Sequence, residues 1–146
     1  MHRNVIAQCG WPGARQAVID FPEDWDRKNP PVPELEGTNW QQAEREGDGY
    51  RLADGRLMTD AEPLAAPSPV YPKMASLVWK EGICEVRFAI LPTGKASDVR
   101  AACSDPVFIR SAEAAVSEVP FQPRMLGDTP LPRYNVVYPL DFCMEK

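Results

Sequence analysis

The side chains of this chain that could take part in chemistry are few, and its four cysteines are the most reactive of them. Cysteines can be joined as disulfides or can bind zinc as thiolates, and structural zinc sites take their ligands in closely spaced pairs. The spacing here is long and uneven, so we expect no metal site. Structural disulfides are the favoured role of these residues, which are Cys9, Cys84, Cys103 and Cys143.

Enzymatic chemistry has little support in the sequence. The only histidine is His2, which leaves no well-placed base for Cys–His or Ser–His–Asp catalysis. No glycine-rich phosphate loop, CxxC or HExxH motif occurs, and the carboxylates are scattered rather than paired. We therefore expect a protein that is not an enzyme and that takes no cofactor.

Charge and hydropathy exclude two further classes. The formal net charge of −5 arises from residues 1–69, which hold twelve acidic and seven basic side chains. Nucleic-acid binding needs an excess of Lys and Arg, so we expect no nucleic-acid partner. No run reaches the roughly 18 apolar residues of a membrane span. Val5-Ile6-Ala7 is also too short for the core of a signal peptide.

An alternating pattern predicts the strands that carry two of the cysteines. Apolar and polar residues alternate from Cys84 to Leu91, Thr93-Gly94 makes a turn, and the alternation returns up to Cys103. If the loop has two residues, every apolar residue faces an apolar partner, so the register supports itself. This register opposes Phe88 to Val99, Val86 to Ala101 and Cys84 to Cys103. We predict a Cys84–Cys103 disulfide, with Cys9 and Cys143 as a possible second pair.

The same register contains one conflict. Counted outward from a two-residue loop, Cys84 and Cys103 form a hydrogen-bonded pair, in which the two residues are farther apart than in the alternate kind of pair. A β-bulge near the turn would remove the conflict.

Two helices are predicted beside these strands. Pro72 suits the first turn of a short helix that Gly82 ends, with Met74, Leu77 and Val78 spaced for one apolar face. Ser104-Asp105-Pro106 combines a capping side chain with a first-turn proline and begins a helix over 106–119.

The last strand is predicted over 133–144, after a loop at 126–130. Pro139 lies within it, which indicates an edge strand or a bulge. A right-handed crossover through the second helix gives the strand order second–first–third. The fold class is α+β: a small two-layer domain with a three-stranded antiparallel or mixed sheet and helices on one face. Its predicted core contains Val86, Phe88, Val99, Ala101, Phe108, Ala112, Val116, Leu140 and Phe142.

We divide the chain into an irregular, acidic, Pro- and Trp-containing segment, 1–69, and a domain, 70–146. In the first part, a short helix is predicted over 38–46, and Asp54-Gly55 indicates a hairpin. Its tryptophans would either pin the segment to the domain or anchor a partner; they are Trp11, Trp25 and Trp40.

The order of elements from about residue 70 to 144, with its punctuating residues, resembles the C-terminal domain of the TonB family. The residues that carry the resemblance are Tyr71-Pro72, Glu81-Gly82, Thr93-Gly94 and Phe121-Gln122-Pro123. The resemblance implies a periplasmic location and a role as an adaptor for outer-membrane transporters. The membrane anchor and Pro-rich spacer of TonB proteins are not present in this sequence.

The family's last strand pairs with a short N-terminal peptide of an outer-membrane receptor. Carried over to this sequence, the peptide-binding edge would consist of Tyr134, Asn135, Val136, Val137 and Tyr138. The alternative that the resemblance leaves open is a stand-alone periplasmic protein that binds another envelope partner and transduces no energy.

Overall fold

The computed structural model describes residues 18–38 and 40–143. The helices and strands of these residues, in chain order, are β1 (Glu44–Glu46), β2 (Gly49–Arg51), β3 (Leu57–Thr59), β4 (Glu62–Pro63), α1 (Lys73–Leu77), β5 (Gly82–Ile90), β6 (Ala96–Cys103), α2 (Ile109–Ser117), β7 (Phe121–Gln122), β8 (Arg124–Leu126), β9 (Thr129–Leu131) and β10 (Arg133–Phe142). Among them, no helix has the length and apolar character needed to cross a bilayer.

The longest strands form a three-stranded sheet in the order β10–β5–β6. Strand β5 is antiparallel to both neighbours, so β6 and β10 run in the same direction without touching. Helix α2 provides the crossover between the second and third of these strands. The predicted strand order and the α+β fold class are confirmed.

Helix α2 begins where the capping residues predict. The Asp105 carboxylate accepts a hydrogen bond from the Val107 N–H at 2.9 Å, and Pro106 occupies the first turn, a 3-10 turn that leads into α2. The helix buries Ala112, Ala115 and Val116 against the sheet. Small residues on this face let the helix lie close to β5 and β6.

The main core lies between α2 and one face of the three-stranded sheet. Phe108 is fully buried, and its ring stacks on Phe142 with centroids 4.6 Å apart, while Tyr71 meets both rings edge-on. Eight of the nine predicted core residues are buried in this cluster, and Val99 is half-buried against it. The predicted strand faces are therefore confirmed.

Helix α1 does not use the face that its sequence predicts. Met74, Leu77 and Val78 are 70%, 66% and 66% exposed, whereas Ala75 is buried. The helix ends after five residues because Trp79 adopts a positive φ of 55°, which lets the Lys80 N–H reach the Ala75 carbonyl. Tyr71, which precedes the helix, fills the space on the core that the longer side chains would need.

A second, five-stranded sheet was not predicted; its order is β1–β2–β3–β8–β9. The predicted hairpin around Asp54-Gly55 is confirmed as β2–β3. The predicted loop at 126–130 is wrong, because Gly127 turns a hairpin, β8–β9, whose first strand pairs with β3. The predicted helix over 38–46 is also wrong: a 3-10 turn at Trp40–Gln42 leads into β1.

We expect Phe88→Ala to lower the free energy of unfolding by about 3–5 kcal/mol, because it removes a buried ring and leaves a cavity. Urea unfolding measures the loss. Val70→Ala, at a position that is 77% exposed, is the control and should change stability by about 0.5 kcal/mol or less. A loss below about 1 kcal/mol for Phe88→Ala would contradict this description of the core.

Candidate functional site

The β5–β6 hairpin combines a three-residue loop with a bulge, and together they determine how its residues pair. Its loop has three residues, because the Leu91 N–H donates to the Lys95 carbonyl at 2.9 Å. The register then shifts by one residue at Asp98, which has a φ of 53°. The predicted partners are thereby restored beyond the bulge, so that Cys84 lies opposite Cys103.

The two cysteines form the predicted disulfide. The Ser104 N–H donates to the Ile83 carbonyl at 2.8 Å, so the backbone of Ile83 faces β6. Because backbone groups alternate along a strand, the backbone of Cys84 faces β10, and Cys84–Cys103 is a non-hydrogen-bonded pair with a Cα–Cα distance of 4.0 Å. The three-residue loop, with the bulge that restores the register, thus removes the conflict that the sequence contained. The possible second pair stays a prediction, because Cys9 lies outside the described residues.

The same alternation determines which backbone groups of β10 point away from the sheet. Cys84, Val86 and Phe88 face β10, and their partners are Leu140, Tyr138 and Val136. The residues between those partners, Val137 and Pro139, therefore direct their backbone groups outward. This explains why a proline is tolerated at position 139, where an N–H would have no partner in the sheet. No strand of residues 18–38 and 40–143 pairs with this outer edge.

The five predicted edge residues are in three different situations. Val136 and Tyr138 bond to β5 and pack against the core. Tyr134 and Asn135 lie in a second bulge, and Asn135 has a φ of 52°. Val137 alone among the five continues the ladder with its N–H and C=O directed outward.

A segment from the N-terminal half covers the other face of the sheet; we call residues 18–30 the strap. Trp25 is buried there against Ile83 and Ala102. Two guanidinium groups contact its ring: that of Arg87 lies 5.5 Å from the ring centroid and that of Arg100 lies 5.2 Å from it. For Trp25, the expectation that tryptophans pin the N-terminal segment to the domain is confirmed.

Ion pairs align the strap with the sheet. Asp24 meets Arg100 at 3.2 Å, Asp26 meets Arg87 at 3.2 Å and Arg27 meets Asp98 at 2.9 Å. The hydrogen bond that Asp24 accepts from Arg100 lowers the pKa of the Asp24 carboxyl group. The strap also reaches β10, because the Asn135 side-chain amide donates to the Arg27 carbonyl at 2.9 Å and to Asn29. The strap thus occupies the Tyr134–Asn135 end of the predicted edge, a contact that sequence periodicity gave no sign of.

A second polar cluster joins the five-stranded sheet to the start of β10. Oδ1 of Asp60 accepts hydrogen bonds from Arg124 at 3.0 Å, Arg133 at 3.2 Å and the Ala61 N–H at 2.9 Å. Burial by itself would raise the pKa of the Asp60 carboxyl group. The two arginines and the Ala61 N–H stabilise its charged form by more than burial opposes it, so the pKa is lowered overall. Arg124 is almost fully buried and stacks over Trp40 at 5.0 Å.

We expect Asp60→Asn to destabilise the protein by about 1 kcal/mol near pH 7, because the ion pairs are partly exposed. A lowered pKa means that this contribution is present above the unfolded value of about 3.9 and is lost as the pH falls through the folded value. Urea unfolding from pH 7 to pH 3 should show the two proteins converging at low pH. Asp128→Asn is the control on an exposed turn. A difference that stays constant with pH would contradict the assignment.

Comparisons with known proteins agree on the second half of the chain. Residues 67–142 match the family model described as Gram-negative bacterial TonB protein C-terminal. Five solved chains match, among them the solution NMR structure of the Pseudomonas aeruginosa TonB CTD. That match has a TM-score of 0.51 and 30% identity, and it covers 60% of this chain and 89% of that chain. Among curated proteins no match was found.

The described residues contain no cluster of potential ligands for a metal ion.

Proposed function

This chain belongs to the TonB C-terminal family, and we propose that its strand β10 docks an extended peptide of an outer-membrane transporter by strand addition. The domain that defines this family is a non-enzymatic protein-interaction domain, and TonB C-terminal domains interact with outer-membrane proteins. The family is typically periplasmic in Gram-negative bacteria. The periplasmic location and the adaptor role of this chain are parts of the proposal.

The observation that carries the proposal is the outer edge of β10. An edge strand presents N–H and C=O groups to which an extended peptide can bond, and such main-chain bonds provide affinity whatever the peptide sequence is. Val137 offers a donor and an acceptor, while Pro139 offers an acceptor alone. The docking edge therefore centres on Val137 and extends toward residue 141, rather than over 134–138 as the sequence suggested.

The strap limits where a peptide can lie. Its contacts with Asn135 occupy the first part of β10, so an added strand would begin after the bulge. With few backbone bonds on offer, the side chains next to the edge must contribute to affinity. We expect weak binding and a strong dependence on the residues that flank Val137.

A second candidate function is supported by the surface of α1. A stand-alone envelope protein would need a surface for another partner, and the apolar side chains of α1 and the residues after it provide one. These exposed residues are Met74, Leu77, Val78 and Trp79. Exposed apolar groups that lie together often mark protein–protein contacts.

Two neighbouring proline variants test strand addition. Val137→Pro removes an outward N–H and should abolish binding of a transporter peptide while the melting temperature changes little. Val136→Pro removes a bond to β5 and should lower the melting temperature markedly, because it interrupts the ladder. Peptide titration by calorimetry and thermal melts of both variants measure these effects.

Val137→Ala is the matched control, because it shortens the side chain and keeps the N–H. It should bind the peptide much better than Val137→Pro does. If Val137→Pro binds as well as the unchanged protein, β10 is not the docking edge, and the stand-alone protein becomes the better account.

A further inference from the structure

A pocket with a volume of about 290 Å³ lies where the strap leads into the five-stranded sheet. Its walls come from distant parts of the chain: Pro30 and the residues after it, Trp40, and the start of β10 at Tyr134. Arg124 and Arg133 also line it. The volume is at the lower limit for small-molecule sites, so the pocket suits a ligand of a few non-hydrogen atoms or a single side chain.

Neither arginine in the pocket has a carboxylate of its own. Arg124 and Arg133 share one carboxylate, because both donate to the same oxygen of Asp60. Glu36 is a second acidic residue on the pocket, but it is exposed and makes no ion pair with either arginine. With Asp60 and Glu36 counted, the formal charges around the pocket sum to zero, but one carboxylate oxygen serves both guanidinium groups.

Arg124 carries an independent sign of a missing partner. Its side chain is 7% exposed, and its Nε is buried without a hydrogen-bond partner in the described part of the chain. Buried donors in proteins are almost always satisfied, and an unsatisfied one calls for an explanation, such as a bound water or ion. Burial together with the neighbouring Arg133 charge disfavours the charged form of Arg124, so an added anion would stabilise it.

We propose that this pocket binds a carboxylate group attached to a small flat or apolar body. The carboxylate would accept hydrogen bonds from Arg124 and Arg133, a pairing for which the planar guanidinium is suited. Trp40 and Tyr134 would contact the body of the ligand. The proposal is independent of strand addition at β10, because it uses side chains that lie before Val137, none of them beyond the bulge.

A carboxylate of this kind has two possible sources, a free small molecule or an acidic side chain of a peptide on β10. Tyr134 lines the pocket and also belongs to β10, so a peptide docked after the bulge would reach the pocket only with a side chain directed back past the bulge, whereas a free molecule would enter from solvent. The chemistry that recognises them is the same.

The first experiment is an NMR titration of the full chain with benzoate and with benzamide, its neutral isostere. We expect benzoate to shift the Trp40 indole, Arg124 Nε and Tyr134 amide resonances in a saturable way, and benzamide to leave them nearly unchanged. Equal shifts with both compounds, or none with benzoate, would overturn the proposal.

Charge variants sharpen this test. Arg133→Gln, at a partly exposed position, should weaken benzoate binding about tenfold, because one charged hydrogen bond is lost. Glu36→Gln should strengthen it, since a repelling charge is removed. Arg110→Gln is the matched control: it makes the same change in net charge on the exposed face of α2 and should have no effect. Equal weakening by Arg133→Gln and Arg110→Gln would contradict a specific site.

A pair of transporter peptides that differ by Glu or Gln at one position identifies the source of the carboxylate. Tighter binding of the Glu peptide, lost in Arg133→Gln, assigns the pocket to the peptide. Equal binding of both peptides, with benzoate still binding, assigns it to a free ligand. Benzoate binding that persists in Val137→Pro, where peptide binding is absent, separates this site from strand addition.

Discussion

The direction of the backbone groups along β5 is the constraint on which the rest of this structure depends. As the central strand, β5 must alternate its hydrogen bonds between two neighbours, and the Leu91–Lys95 pair at the turn sets which residues face which neighbour. This alternation along β5 has three consequences. Cys84 and Cys103 come close enough for a disulfide, Pro139 falls where no N–H is needed, and Val137 directs its backbone groups outward. If the alternation of β5 were shifted by one residue, Cys84 and Cys103 would lie farther apart, Pro139 would lack a needed N–H, and Val137 would face β5.

The strap covers a face of the sheet that the TonB-like half alone leaves open. The sheet has a second face, on which Ile83, Arg87 and Arg100 would otherwise be open to solvent. The strap covers this face with Trp25 and compensates the arginines with aspartates, which accounts for part of the acidity of the first half. Because the strap also contacts Asn135, the covering of one face and the extent of the β10 edge are linked.

Local patterns predicted the parts of the fold that are determined locally. The alternation from Cys84 to Cys103, the Asp105 cap and the Asp54-Gly55 turn each lie within a few residues of what they specify, and each is confirmed. The Cys84–Cys103 disulfide and the order of the main sheet followed from them. The predicted edge residues could be listed, but their directions could not, because they depend on the alternation of the neighbouring strand β5, which is set at its turn with β6.

The failures share a physical cause: the deciding partner is far away in sequence. Strand β8 pairs with β3, more than sixty residues earlier, so the sequence around Gly127 alone indicated a loop. The residues of α1 have helical spacing, but Tyr71 and the rings that it contacts occupy the core in their place. Arg124, two residues before the predicted loop, gave no local sign of its burial against Trp40.

Amide hydrogen exchange at two adjacent residues tests the central claim most directly. In the free protein the Val136 amide, bonded to β5, should exchange slowly, and the Val137 amide should exchange quickly because it points outward. Saturation with a transporter peptide should slow Val137 by about tenfold or more and leave Val136 nearly unchanged. A Val137 amide that is already protected in the free protein, or that the bound peptide does not protect, would contradict strand addition at β10.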